Sequence, residues 1–212
     1  MSAGDLFGPV LAGPAPRGLG RAMAGGGDKV HRRAHDYYPT PAEVTRALLR
    51  AEGSCLRTIG GPVWEPCGRG GAILRVLREA GFDTVGSDIV ADDGEGVTAL
   101  DLLATKRPLA GAVVTNPPFA LAAEMIVHLL GKLRLKYCAL LLKATFFHAE
   151  ERRALFHQHR PARIHALTWR PDFLGKGAPT MECAWFVWQA GWPLATAYHL
   201  MAREPGNGEA ML

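Results

Sequence analysis

The sequence predicts a doubly wound α/β domain, a mostly parallel sheet with one antiparallel strand near its C-terminal end. Three observations predict it. Short apolar runs alternate with amphipathic helical stretches from Val63 to Trp169, and the chain then finishes on strands. A glycine turn, Pro66-Cys67-Gly68-Arg69-Gly70-Gly71, lies between the first strand and the helix after it. A double proline, Pro117-Pro118, stops a later apolar run.

The 212 residues suit one domain, and an apolar content of 48% supplies a core. Residues 1–27 carry eight glycines and three prolines, too little apolar surface to offset the entropy of ordering. The sequence therefore predicts a disordered segment over 1–34, a folded domain over 35–202 and a flexible tail over 203–212. Lys29, His31, Arg32, Arg33 and His35 form a basic cluster just before the fold, either a solvated charge run or an arm for phosphates. Thr40, Pro41 and Glu43 predict a helix start with N-cap, proline at the first position and capping-box acid; Val44, Leu48 and Leu49 give its apolar stripe. Thr58-Ile59 is expected in a loop, and Pro62 to Glu65 in the first strand.

Beyond the glycine turn, a helix is expected from Ala72 to Ala80, with Ile73, Val76, Leu77 and Ala80 toward the sheet and Gly81 ending it. The next strand, Thr84 to Asp88, ends in an acid 20 residues past Gly68. That spacing suits a carboxylate on ribose hydroxyls, although a solvated strand-end acid would look the same. A turn-rich loop, Asp92 to Gly96, leads to a third strand between Val97 and Leu102, where Asp101 is either a ligand contact or a local turn cap. After the double proline, Leu121 to Leu133 reads as a helix with Leu121, Met125, Leu129 and Leu133 on one face and His128 at its edge. Tyr137 to Leu142 is a buried strand. A helix follows from about Ala149, with Leu155 and Phe156 inward. Ile164–Trp169, Ala184–Trp188 and Thr196–Met201 are the last strands. Between the first two of these runs a Gly/Pro loop carries Arg170, Phe173 and Lys176, which would share the rim of Asn116 if Ile164–Trp169 is parallel to the central strand.

The net charge of +4 suits a polyanionic partner and is too small to require one. No run of about 18 apolar residues predicts a membrane span, and the first residues have no basic start followed by an apolar stretch. Cys55, Cys67, Cys138 and Cys183 are scattered, which argues for free thiols in a cytoplasm and against a zinc site or a disulfide framework.

The stretch with most chemistry is Thr115-Asn116-Pro117-Pro118-Phe119, at the end of the run Gly111 to Val114. Each proline fixes its own φ and donates no hydrogen bond, and the residue before a proline is held extended. The result is a stiff corner at a strand's carboxyl end, where ligands of open α/β sheets sit. Asn116-Pro117-Pro118-Phe119 resembles the (Asp/Asn)-Pro-Pro-aromatic motif of S-adenosylmethionine-dependent amino-methyltransferases, best known from DNA adenine-N6 methyltransferases. Small phage and prophage adenine methyltransferases are similar, down to the Ala184-Trp185-Phe186-Val187-Trp188 strand.

The resemblance covers roughly residues 35–200 and implies the Rossmann-like class I methyltransferase fold, with S-adenosyl-L-methionine as cofactor. It implies that Asn116 and the Pro117 carbonyl accept hydrogen bonds from the target amine while Phe119 stacks on the base. It reads Glu65, Pro66, Cys67, Gly68 and Gly70 as the cofactor loop, with Asp88 and Ile89 at the ribose and Asp101 and Leu102 near the adenine. Asn116 borders the cofactor as well. Tyr37-Tyr38-Pro39-Thr40-Pro41 looks like the Tyr-x-Thr-Pro segment over the methionine end; Pro39 intervenes between Tyr38 and Thr40, so either Tyr37 or Tyr38 takes that role. One residue separates Pro66 from Gly68 where the family commonly has two, and Arg69 stands where glycine is usual.

The function expected is methylation of adenine N6 in DNA, with adenine in RNA or a protein glutamine amide as alternatives sharing the same motif. Arg170, Phe173 and Lys176 would meet the nucleic acid by charge and stacking. The 93 residues after Phe119 are needed by the remaining elements. Target recognition would thus be loose, or come from a partner or a second copy. A dinucleotide-binding oxidoreductase would use the glycine turn and Asp88 equally well but has no use for the Asn-Pro-Pro-Phe corner. A non-catalytic nucleic-acid-binding module is the third possibility.

Overall fold

The structure, a computed structural model, describes residues 38–203. The expected free segment 1–34, the basic cluster, Tyr37 and the tail beyond Arg203 lie outside the described residues.

Eight strands form one sheet: β1 (Val63–Glu65), β2 (Thr84–Asp88), β3 (Val97–Ala99), β4 (Ala112–Thr115), β5 (Tyr137–Lys143), β6 (Arg163–Leu167), β7 (Cys183–Gln189) and β8 (Ala197–Met201). Their spatial order is β3-β2-β1-β4-β5-β7-β6-β8. Only β7 runs against its neighbours; β8 lies parallel to β6 at the far edge. The antiparallel strand near the C-terminal end is therefore where the sequence puts it. Because β6 runs the same way as β4, the loop from Thr168 to Glu182 does emerge on the rim that carries Asn116.

Among the described residues four α-helices cover the sheet: α1 (Ala42–Ile59), α2 (Ala72–Glu79), α3 (Ala122–Val127), which passes into a π turn over His128–Lys132, and α4 (Arg153–Gln158). Strand side chains alternate between two cores. Val114, Ala139, Leu141 and Trp185 meet Val44, Leu48, Ile73 and Leu77 of α1 and α2. Val113, Leu140, Leu142 and Phe186 meet Met125, Ile126, Leu129 and Leu155 on the other side. The run Ala139 to Leu142 is buried on both faces, which is why it reads as continuously apolar. Each of its leucines contributes about 1.5–3 kcal/mol of burial.

Several expectations need correction. Thr58-Ile59 is the last turn of α1, which ends at Gly60 and Gly61, both at φ +73. The capping box does not form: Pro41 occupies the cap position and no side chain caps the helix. Glu43 instead faces Arg203 at 3.8 Å, and Thr40 is used elsewhere. Leu121 precedes α3 and stands exposed, while His128 is buried with Nε2 2.9 Å from the Thr105 carbonyl.

A polar cluster is buried at the amino-terminal rim, between α1 and the strands. The Glu52 carboxylate accepts hydrogen bonds from Tyr137 (3.2 Å), from Arg163 Nε and Nη2 (2.6 and 2.8 Å) and meets His165 Nε2 at 2.7 Å. Arg163 also donates to Gln189 at 2.8 Å, with its guanidinium over Trp192. Burial pushes the Glu52 carboxyl up, but the bonds from His165 and Arg163 outweigh it and hold it below the ordinary glutamate range.

Removing the carboxylate leaves Arg163 without its counter-charge, so Glu52→Ala is expected to cost about 3–5 kcal/mol in chemical denaturation. A carboxyl depressed in the folded state stabilises fully above its unfolded value of about 4.3, and the contribution is lost as pH falls through the folded value. Below pH 4 the gap between wild type and Glu52→Ala should therefore narrow.

Candidate active site

The glycine turn and the Asn-Pro-Pro-Phe corner leave adjacent parallel strands. Val63 of β1 pairs with Ala112 of β4, and Trp64 with Val113. Both stretches therefore emerge side by side at the carboxyl ends of the central strands.

The turn is tight and internally bonded. The Gly68 amide donates to the Ser87 carbonyl at 2.8 Å, and the Gly71 amide to the Gly68 carbonyl at 2.9 Å. Gly70 and Gly71 both lie in the left-handed region, at φ +71 and +60. At Gly71 a Cβ would also collide with the Glu95 carboxylate, which is held by Arg75. Two acids tie the turn to the loop after β2. Asp88 Oδ2 accepts from the Arg69 amide at 3.4 Å and Asp92 Oδ2 from the Gly70 amide at 2.9 Å. The Asp88 carboxylate also takes the Val90 amide at 3.1 Å. Sequence reasoning missed Asp92, because Asp-Asp-Gly-Glu-Gly has the composition of a plain turn.

Directly beneath the turn, Glu65 is buried at the end of β1. Burial drives its carboxyl well above the ordinary range, the Leu74 amide offsetting only part of that. Its Oε2 has no hydrogen-bond partner among the described residues. Desolvation likewise pushes the Cys67 thiol up to about 12, so Cys67 is a thiol and no nucleophile. Pro66 is buried with them.

Asn116 is half-buried just after β4, and its Nδ2 donates to Thr40 Oγ1 at 3.1 Å. Thr40 is buried, and its hydroxyl serves this bond to a residue 76 positions away and not the cap of α1. The bond engages Nδ2 and leaves Oδ1 available as the amide's acceptor. Pro117 is buried, and the chain turns through the Pro118 carbonyl, which accepts from the Leu121 amide at 2.9 Å. Phe119 is half-buried. Lys143, the last residue of the neighbouring β5, sets its Nζ 5.5 Å from the centre of the Phe119 ring. No sequence signal singles out that lysine beyond its place after a buried strand.

Other expected site residues are spread around this centre. Ile89 directly follows Asp88 and is 60% exposed, an unusual setting for a large aliphatic side chain. Asp101 is exposed, and its Oδ1 caps the short turn Leu102–Ala104 through the Leu103 amide at 2.9 Å. Leu102 is buried in the second core. Tyr38 is exposed and Pro41 half-buried. On the loop from Thr168 to Glu182, Arg170 is paired with Glu182 at 2.5 Å, Phe173 packs against the first core and Lys176 is exposed.

No family model matches the chain, and no curated protein does. Solved structures do. A Pyrococcus horikoshii protein described as a candidate RNA methyltransferase superimposes with TM-score 0.57 at 14% identity, over 73% of this chain and 86% of its own. A Listeria monocytogenes protein described as a candidate class I S-adenosylmethionine-dependent methyltransferase gives 0.53 at 13%, over 87% and 70%. A Thermoplasma acidophilum protein gives 0.54 at 17%, over 71% and 87%. This is the class I methyltransferase fold. The mostly parallel sheet with antiparallel β7 near its C-terminal end belongs to it, and at these identities the likeness concerns the fold.

Proposed function

We propose that this protein transfers a methyl group from S-adenosyl-L-methionine to an amine nitrogen of nucleic acid, the N6 amine of adenine in DNA. The observation that carries the reading is the Asn116 amide, oriented by Thr40 at the end of β4, on the strand next to the glycine turn.

The residues around the turn suit the cofactor. Asp88, half-buried with amide bonds to Arg69 and Val90, keeps acceptor capacity for ribose hydroxyls, and exposed Ile89 offers an apolar face to an adenine ring. Gly68 and Gly70 admit a ligand close to the backbone. Tyr38 or Tyr37 would cover the reactive end. The cofactor supplies an electrophilic methyl on sulfonium sulfur.

The protein's task lies with the nucleophile. An adenine amine is a poor one, since its lone pair is delocalised into the ring. Asn116 Oδ1 and the Pro117 carbonyl would accept hydrogen bonds from its two N–H groups, favour a tetrahedral nitrogen and stabilise the positive charge that develops on it as the methyl–sulfur bond breaks and a neutral thioether leaves; the methylated nitrogen then releases its surplus proton to solvent. The prolines keep both acceptors fixed, so little reorganisation is needed at the moment of reaction. Phe119 stacks on the base, an interaction of about 1–3 kcal/mol. A base in a duplex would have to leave the stack to reach this corner.

Incubation with a labelled methyl donor and unmethylated DNA, RNA or protein, followed by nucleoside and amino-acid analysis, tests the reading. N6-methyladenine from DNA is expected. Label in a glutamine amide, or in no product, overturns it.

Asn116→Ala should abolish turnover while calorimetry shows nearly unchanged cofactor affinity; parallel loss of both contradicts the assigned role. Asp88→Ala should do the converse, weakening cofactor binding tenfold or so, since one lost charge-assisted hydrogen bond is worth about 1.5–3 kcal/mol. Thr40→Val should lower turnover and leave the Michaelis constant for nucleic acid in place, with Thr40→Ser restoring the rate. Equal loss in both variants would mean the hydroxyl does not set the amide.

A further inference from the structure

Lys143 is a half-buried cation on the rim of the site. Its ammonium lies over Phe119, and none of the ion pairs among the described residues engages it. The groups nearest in the sheet offer no counter-charge. Its cross-strand neighbour is Cys183, a thiol that burial pushes up to about 12. Glu182, next in sequence to Cys183, is committed to Arg170 Nε and Nη2 at 2.9 and 2.5 Å.

The backbone that carries Lys143 is firmly held. The Ala144 amide donates to the Glu182 carbonyl at 2.9 Å, and the Phe146 amide to the Lys143 carbonyl at 2.9 Å. Arg152 clamps the turn from outside, donating to the Phe146 carbonyl at 2.6 Å with its guanidinium over that ring. Phe147, on the same turn, is 43% exposed. The base of the lysine side chain is thus fixed, with its ammonium beside an aromatic platform.

An ammonium with no ion-pair partner among the described residues opposes the proposed chemistry, because the target nitrogen becomes positive as it takes the methyl group. An anion that neutralises the ammonium removes the conflict. Nucleotides bring one with the base, whereas a glutamine side chain does not.

We propose that Lys143 is the subsite for a backbone phosphate of the nucleotide whose base lies on Phe119, so that the site selects nucleic acid over a protein amide. This rests on the proposed methyl transfer. The ring and the cation select together: Phe119 accepts any flat base, and Lys143 requires that it be attached to a phosphodiester.

The test is binding of a labelled single-stranded oligodeoxynucleotide over a range of salt concentration, with full-length wild type, Lys143→Gln and Lys143→Arg. Each phosphate contact on a single strand contributes about 0.7 to the slope of log affinity against log salt. Lys143→Gln should lower that slope by about this amount and weaken binding several-fold, with unchanged cofactor affinity and melting temperature. Lys143→Arg should keep the slope. A wild type that methylates the oligonucleotide while Lys143→Gln keeps the full slope overturns the subsite and leaves the methyl-transfer reading standing. A wild type that methylates only a protein amide overturns both.

Discussion

The two ends of the Asn116 amide differ chemically, and the hydrogen bond from Nδ2 to Thr40 occupies the donor end. An amide free to flip would present its NH2 group to the target amine half of the time, donor against donor. Thr40 holds the amide side chain in place through its NH2 end, and the prolines that follow fix where the amide stands. The price is paid at α1, which gives up a side-chain N-cap, a loss of about 1 kcal/mol. Stability of the helix start is exchanged for order at the site.

That exchange is possible because α1 does not depend on its cap. Its first turn is held by Trp185, whose indole nitrogen donates to the Val44 carbonyl at 3.0 Å. Its middle is locked by Glu52 into the Tyr137–Arg163–His165 cluster. The helix spans the sheet from the rim that carries Asn116 to the opposite rim, anchored at both. Thr40 is therefore positioned by contacts far from any chemistry, and the Glu52 cluster supports the site from a distance.

The strands were legible because their burial is simple. β4 and β5 are covered on both faces and read as unbroken apolar runs, and the Asn-Pro-Pro-Phe corner announces itself by a pair of prolines that no central strand tolerates. Residues whose partners lie far away in sequence were not legible. Thr40, Pro41 and Glu43 satisfy every local rule for a capping box, and a long-range bond overrode it. Glu52 sits among polar residues on a helix and looks solvated, yet it is buried, because its four hydrogen-bonding contacts come from β5 and β6. Lys143 gains meaning only once β5 is seen beside β4.

Strand β8 lies parallel to β6, so its carboxyl end points to the same rim as the glycine turn. There Ala202 accepts from Arg50 and Arg203 faces Glu43, both partners on α1, whose start follows Thr40. The chain thus enters and leaves the described fold through one doorway, next to the cleft. Insertions meant to leave catalysis alone therefore belong on the opposite rim, for example in the Gly191–Leu194 turn that follows antiparallel β7.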